Sequence, residues 1–328
     1  MSQAPHTLVV RLDGAGDVLL AGPAVRAVAA GSMSTTLLCG PRGHAAGRLL
    51  PGVDEVLVYD APRVSISPPA VQRSTVNELV ERLAERRFDR ALIFASPRQS
   101  PLPAALLLKL AGVPWVAADC EHAPGPLLRL RNRRAERRHE AEAALDLAAA
   151  AGFPLPVGDD GALGIRAHPG AGGLTGTGEY LVVHPGGTVA ERAWTPARAE
   201  GAVAALADAG HRVVVTGGPD ERALTRRVAG GRALDLGGLT GLPRLAGVIA
   251  GARAMVAGAT APAQLAAAVH TPIVSLLPPC LGSDHLLPYR VPHLRLGDRD
   301  VPSLDAIGDE ELLSAVAALT GRAALSPG

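Results

Sequence analysis

Residues 8–27 read LVVRLDGAGDVLLAGPAVRA, the order of a buried strand, a glycine turn and a helix. The apolar run Thr7–Leu12 suits a strand covered on both faces. Gly14–Gly16 then reads as a loop and Val18–Ala30 as a helix. Asp17 falls at the helix N-terminus, where a carboxylate has two uses. It caps free N–H groups and suits the helix dipole, or it serves as a general base taking a proton from an attacking hydroxyl. Spacing alone leaves both open. The turn is not a dinucleotide fingerprint, because Gly14-Ala15-Gly16 lacks a third glycine at the required offset.

The same rhythm continues outward. Thr35–Cys39, Glu55–Tyr59, Ala91–Ala95 and Trp115–Ala118 are strand candidates, with helical periodicity over Val76–Arg86 and Ala104–Ala111. Arg129–Arg138 is a basic run that reads as a solvated face, followed by an amphipathic helix to about Ala151. Gly152–Gly178 is rich in Gly and Pro and weak in periodicity, as a linker is. The second half restarts with strands at Tyr180–Val183, Arg212–Thr216, Ala233–Leu236, Ala254–Ala257 and Pro272–Leu277. Helices fall at Pro196–Ala209, from Glu221, and at Pro243–Gly251 and Pro262–Val269. Strands regularly separated by helices imply parallel pairing. The expectation is an α/β chain of two Rossmann-like parallel domains facing a cleft: residues 1–165, a linker 166–178, and residues 179–328. Such sheets bind ligands at the carboxyl ends of their strands.

Bulk properties exclude several classes. The chain has 328 residues, 48% hydrophobic and 19% charged, with 2% aromatics. Its cores must therefore be built from Ala, Val and Leu. Lys109 is the only lysine, and the formal net charge is +1, so no global field recruits nucleic acid. Cys39, Cys120 and Cys280 offer neither a metal spacing nor a disulfide framework. Arg11, Asp13 and Asp17 interrupt the N-terminal apolar run, which is no signal peptide. No long uncharged apolar stretch occurs, so a soluble cytoplasmic monomer is expected, with at most peripheral membrane contact.

Four loops can carry chemistry. Beside the first, His184-Pro185-Gly186-Gly187 exposes backbone N–H groups, and Arg192 could pair with phosphate oxygens or be an ordinary surface arginine. Thr188 lies on the same loop. Trp194 reads as a packing residue. In Thr216-Gly217-Gly218-Pro219-Asp220-Glu221 the acid is a cap or a partner of ribose hydroxyls. Gly258-Ala259-Thr260-Ala261-Pro262 gives either an anion-binding helix start or a helix capped by Thr260. His139 is a second acid–base group or a hydrogen-bonded helix start.

In order along the chain, these stretches resemble glycosyltransferase family 9, the heptosyltransferases that use ADP-heptose. The motifs are LVVRLDGAGDVLLAGPAVRA (8–27), RRHEAEAALDLAAAAG (137–152), LVVHPGGTVAERAWTP (181–196), VVVTGGPDE (213–221) and GATAPAQLAAAVHTPIVSLLPP (258–279). The resemblance covers nearly the whole chain. It implies a GT-B fold, with the acceptor on the N-terminal domain and the donor on the C-terminal one. It also implies an inverting single displacement with no cofactor and no metal. Asp17 matches the family's base, with Arg11, Gly16 and Arg98 on the acceptor side. Arg192, Thr188, Gly187, Gly218, Glu221, Thr260, Ala261 and Gln264 fall on the donor side. There Arg192 would bind the diphosphate, Glu221 the ribose, and the Thr260 turn the diphosphate again. The acceptor would be a glycan or glycolipid.

One departure concerns the sugar. The family's donor turn usually reads Asn-Asp-Ser/Thr-Gly-Pro-Met-His-Leu-Ala, whereas Ala259 and Gln264 stand where its aspartate and histidine would be. Losing hydrogen bonds to sugar hydroxyls can change specificity by large factors. A nucleotide-sugar epimerase and a non-catalytic nucleotide-sugar-binding protein are the alternatives. The Asp17 motif favours transfer over epimerisation. Retention of Asp17, Arg192 and Glu221 argues against a degenerate site.

Overall fold

A computed structural model describes residues 3–62, 68–96, 99–121, 123–134, 138–187, 193–277, 284–297, 300–301 and 303–321. Contacts divide the chain into two compact units, Met1–Arg166 and Ala167–Gly328. The first contains β1 (His6–Arg11), α1 (Ala15–Leu20), α2 (Gly22–Ala30), β2 (Ser34–Cys39), α3 (His44–Gly47), β3 (Glu55–Val58), α4 (Arg73–Glu85), β4 (Arg90–Ile93), α5 (Leu102–Leu110), β5 (Trp115–Asp119), β6 (Leu130–Asn132) and α6 (Glu140–Ala150). The second contains α7 (Gly172–Thr175), β7 (Leu181–His184), α8 (Pro196–Asp208), β8 (Val213–Val215), α9 (Arg222–Ala229), β9 (Leu234–Asp235), α10 (Leu242–Ala250), β10 (Ala254–Gly258), α11 (Ala261–Ala268), β11 (Ile273–Leu276), β12 (His293–Leu296) and α12 (Asp309–Thr320).

The sheets run β3-β2-β1-β4-β5-β6 and β12-β11-β10-β7-β8-β9. All pairings are parallel. Counted from each unit's first strand, both have the order 3-2-1-4-5-6. The order therefore reverses between β1 and β4 in one unit and between β7 and β10 in the other. Crevices open at such reversals, outside the carboxyl ends of the strands. Each unit encloses its own core, around Leu8, Val10, Ile93 and Ala118 in the first. In the second it surrounds Leu181, Val183, Val256 and Val274. Small side chains do much of the packing, as where α8 buries Ala199, Ala202, Val203 and Leu206.

Every strand expected from the sequence is present, but four features differ. The helix expected over Val18–Ala30 is two helices. It begins at Ala15, so Gly16 sits in its first turn, and Ala21 ends α1 while starting α2. Pro23, which has no N–H to give, forces the restart. The basic run is not simply a solvated face: its Leu-Arg-Leu-Arg alternation has the period of a strand. Leu130–Asn132 forms edge strand β6 on β5. Further on, β12 and α12 add an edge strand and a closing helix. Fourth, the Gly- and Pro-rich stretch up to Arg166 packs onto the first unit. Arg26 holds Asp159 through Nε and Nη2 at 2.7 and 2.8 Å, and the Arg166 amide donates to the Leu49 carbonyl at 2.7 Å. Among the described residues, no helix is long and apolar enough to cross a membrane.

Candidate active site

Strand β1 buries every residue after its first, so its last, Arg11, carries a guanidinium into a dry strand end. A buried charge needs partners, and three carboxylates supply them. Arg11 Nε lies 2.9 Å from Asp13 Oδ2, Nη2 lies 3.2 Å from Asp17 Oδ1, and Nη1 lies 3.4 Å from Glu140 Oε2. Nη2 also donates to Ser96 Oγ at 2.9 Å. Around this hub, Gln99 Nε2 donates to Asp13 Oδ1 at 2.6 Å. Arg134 Nη2 lies 3.3 Å from Glu140 Oε1. Burial works against the charge on Arg11, but the three carboxylates outweigh it and its pKa rises. Asp13 is raised as well, by burial first, with Arg11 opposing.

Exposure separates the three acids. The side chains of Asp13 and Glu140 are 8% and 3% exposed, whereas that of Asp17 is 30% exposed. Asp17 is thus the acid of the cluster that solvent reaches most readily. Its two oxygens are used differently: Oδ2 accepts from the Gly14 amide at 3.1 Å, closing the start of α1, while Oδ1 faces Arg11. Capping and reactivity are therefore compatible uses of one side chain. Gly16 is half-buried in the same first turn, and Arg98 lies outside the described residues. His139 caps α6, its Nδ1 accepting from the Ala141 amide at 3.2 Å.

Sequence reasoning left Glu140, Ser96 and Gln99 unassigned and gave Asp13 no role. Glu140 had a signal. It sits on the stripe of α6 whose other members, Ala141, Ala144, Leu147 and Ala148, are buried. A carboxylate on an apolar stripe demands a buried partner. Ser96 and Gln99 follow β4, so only the sheet order brings them beside β1.

In the second unit, Gly186 and Gly187 follow β7. A β-carbon on Gly186 would run into the Glu221 carboxylate, so the glycine makes room for that acid to fold over the turn. Glu221 Oε2 accepts from the Gly218 amide at 2.6 Å. Its neighbour His184 is buried, with Nδ1 3.1 Å from Thr216 Oγ1 and Nε2 3.9 Å from Glu221 Oε2. Burial pushes the His184 pKa down, with Glu221 pulling the other way. Strand β10 pairs with β7, so the Thr260 turn leaves the sheet beside the Gly186 turn.

Thr260 occupies the capping position of α11 without capping it. Its side chain makes no bond to the helix start, and the hydroxyl donates to the Gly258 carbonyl at 3.4 Å. Ala261 and Pro262 then open the helix with little bulk, which suits an anion. Gln264 is buried. Its Nε2 donates to the Leu286 carbonyl at 2.7 Å, and its Oε1 has no partner among the described residues. The structure thus brings Gly218 and Glu221 together beside the Gly186–Gly187 turn. Thr188 and Arg192 lie outside the described residues. Trp194 is a packing residue, its indole N–H donating to the Leu304 carbonyl at 3.0 Å. No group of three or more His, Cys, Asp or Glu side chains able to hold a metal occurs among the described residues.

The fold is shared with solved proteins. A glycosyltransferase family 9 protein from Veillonella parvula superposes with a TM-score of 0.81 at 17% identity, covering 97% of each chain. The E. coli ADP-heptose LPS heptosyltransferase II gives 0.76 at 19% identity, over 96% of this chain and 98% of that one. The E. coli heptosyltransferase WaaC, solved with ADP, gives 0.72 at 19% identity, over 96% and 99%. At these identities the likeness establishes the GT-B architecture. None of the curated proteins matches the sequence. The profile of glycosyltransferase family 9 (heptosyltransferase) matches residues 76–280, more than half the chain, and the protein belongs to that family.

Proposed function

We propose that the protein is an inverting, metal-independent glycosyltransferase. It would move a sugar from a nucleotide-sugar donor, ADP-heptose or a close relative, onto a hydroxyl of a glycan or glycolipid acceptor. The observation that carries this reading is Asp17, the solvent-reachable carboxylate of a cluster otherwise closed around Arg11. The acceptor hydroxyl gives its proton to Asp17 as its oxygen bonds to the anomeric carbon. The bond from that carbon to the diphosphate breaks, and its electron pair leaves with the nucleoside diphosphate. Arg11 is a positioning residue here, because its guanidinium fixes Asp17 and is too buried to meet the acceptor.

On the second unit, Glu221 receives the ribose hydroxyls, and the uncapped start of α11 takes the diphosphate with Arg192. Preorganised donors of this kind stabilise leaving-group charge without a metal. Gln264 Oε1, without a partner among the described residues, would accept from a donor-sugar hydroxyl in the place of the family's histidine. Donor binding is tested by thermal shift with ADP, UDP, GDP and their sugars. A nucleotide at about 100 times its dissociation constant adds ~2.7 kcal/mol of stability. The expected result is a selective shift that Glu221→Ala diminishes. A protein indifferent to all nucleotides, or an unchanged affinity in Glu221→Ala, would overturn the assignment.

A further inference from the structure

Beside the carboxylate cluster, the first unit holds a cavity of about 320 Å³ at the ends of β1 and β4. That volume falls within the ~300–1,000 Å³ of small-molecule sites. It lies at the strand-order reversal, where an open parallel sheet presents its ligands. Leu12, Ile93, Phe94, Leu106 and Leu107 contribute to its wall, and no charged side chain lines it among the described residues. Its apolar character continues outward, since Leu106 is 49% exposed.

One polar residue of the wall ties the cavity to the reaction. Gln99 lines it and donates to Asp13 Oδ1 at 2.6 Å. Asp13 in turn lies 2.9 Å from Arg11, which holds Asp17. An acceptor whose body occupied this cavity would therefore leave it beside the proposed base. Resting on the transferase reading above, we infer that the acceptor is a hydroxyl compound with an apolar body, an alkyl or prenyl chain or an aromatic ring, seated in this cavity.

The test is binding by the full-length protein without nucleotide, using octyl β-glucoside below its micelle concentration, 4-nitrophenyl β-glucoside and methyl β-glucoside. Each buried methylene raises affinity about fourfold, so octyl glucoside should bind at least ~10-fold more tightly than methyl glucoside. A comparable gain for nitrophenyl glucoside alone assigns the cavity to an aromatic body. Ala104→Phe, which fills the cavity from α5, and Leu106→Glu, at its half-exposed rim, should each erase the preference. Neither position is fully buried, and the two substitutions act by different means, one by bulk and one by charge. Equal affinities for all three glucosides, or a preference surviving both substitutions, would overturn the inference. A nucleotide shift retained alongside equal glucoside affinities overturns only the cavity proposal. An apolar preference without any nucleotide binding overturns the transferase reading instead.

Discussion

Asp17→Asn separates the two uses of the first-loop carboxylate. The side-chain oxygen kept by asparagine can still accept from the Gly14 amide, now at 3.1 Å from Oδ2. The amide nitrogen then faces Arg11 Nη2, 3.2 Å from the present Oδ1, so donor meets donor. Flipping the amide only moves the conflict to Gly14. A hydrogen bond to a charged group contributes about 1.5–3 kcal/mol, and a loss in that range is expected in urea denaturation. The chemical effect is larger. General-base assistance contributes ~10²–10⁴ in rate, equivalent to about 2.7–5.5 kcal/mol of barrier. Turnover measured well below the unfolding transition, with donor affinity followed separately, should fall by that factor while affinity holds. A variant destabilised as expected but within ~10-fold of the parental turnover would make Asp17 a cap and remove it from the chemistry.

Other substitutions probe the surrounding groups. Arg11→Met leaves the buried Asp13 and Glu140 without their central cation, and breaking a buried pair costs about 3–5 kcal/mol. Without that cation the pKa of Asp13 rises further, so protonation relieves the folded state. The deficit should therefore shrink from pH 8 to pH 5, and a pH-independent deficit in urea midpoints would contradict this. His184 has a depressed folded pKa. Its stability contribution is present above its ordinary value of 6.5 and lost as pH falls from there toward the depressed value. His184→Gln should accordingly flatten the fall in stability on the acid side of neutrality, and an unaltered slope would exclude it. Gln264→Leu should weaken nucleotide-sugar binding more than binding of the free nucleotide in calorimetric titration. Equal losses would place Gln264 away from the sugar.

The strands were legible because a parallel sheet covered on both faces demands unbroken apolar runs, as in Leu8–Val10 or Val213–Val215. Edge strands escape that demand. Leu130–Asn132 has Arg131 at its centre, and a basic run masks a period of two. The break at Ala21 was visible in Pro23, but helical periodicity continues across it. Within the site, Asp17 and Glu221 could be found because each sits beside a glycine turn at a strand end. Glu140 follows Arg11 by 129 residues, and no local pattern links them. The same holds for Ser96 and Gln99, whose nearness to Arg11 and Asp13 comes from β4 lying against β1 rather than from spacing.

The two separately enclosed cores bear on how the molecule responds to heat. Neither of these clusters of buried side chains draws on residues of the other unit, so each unit has a core able to melt as a cooperative whole. Where the two melt separately, a single midpoint for the whole chain averages two transitions. Resolved by calorimetry, the pair becomes a reporter of address. A ligand raises the transition of the unit it occupies, so nucleotides should move one peak and acceptor analogues the other, and mixtures of the two could be read in one scan.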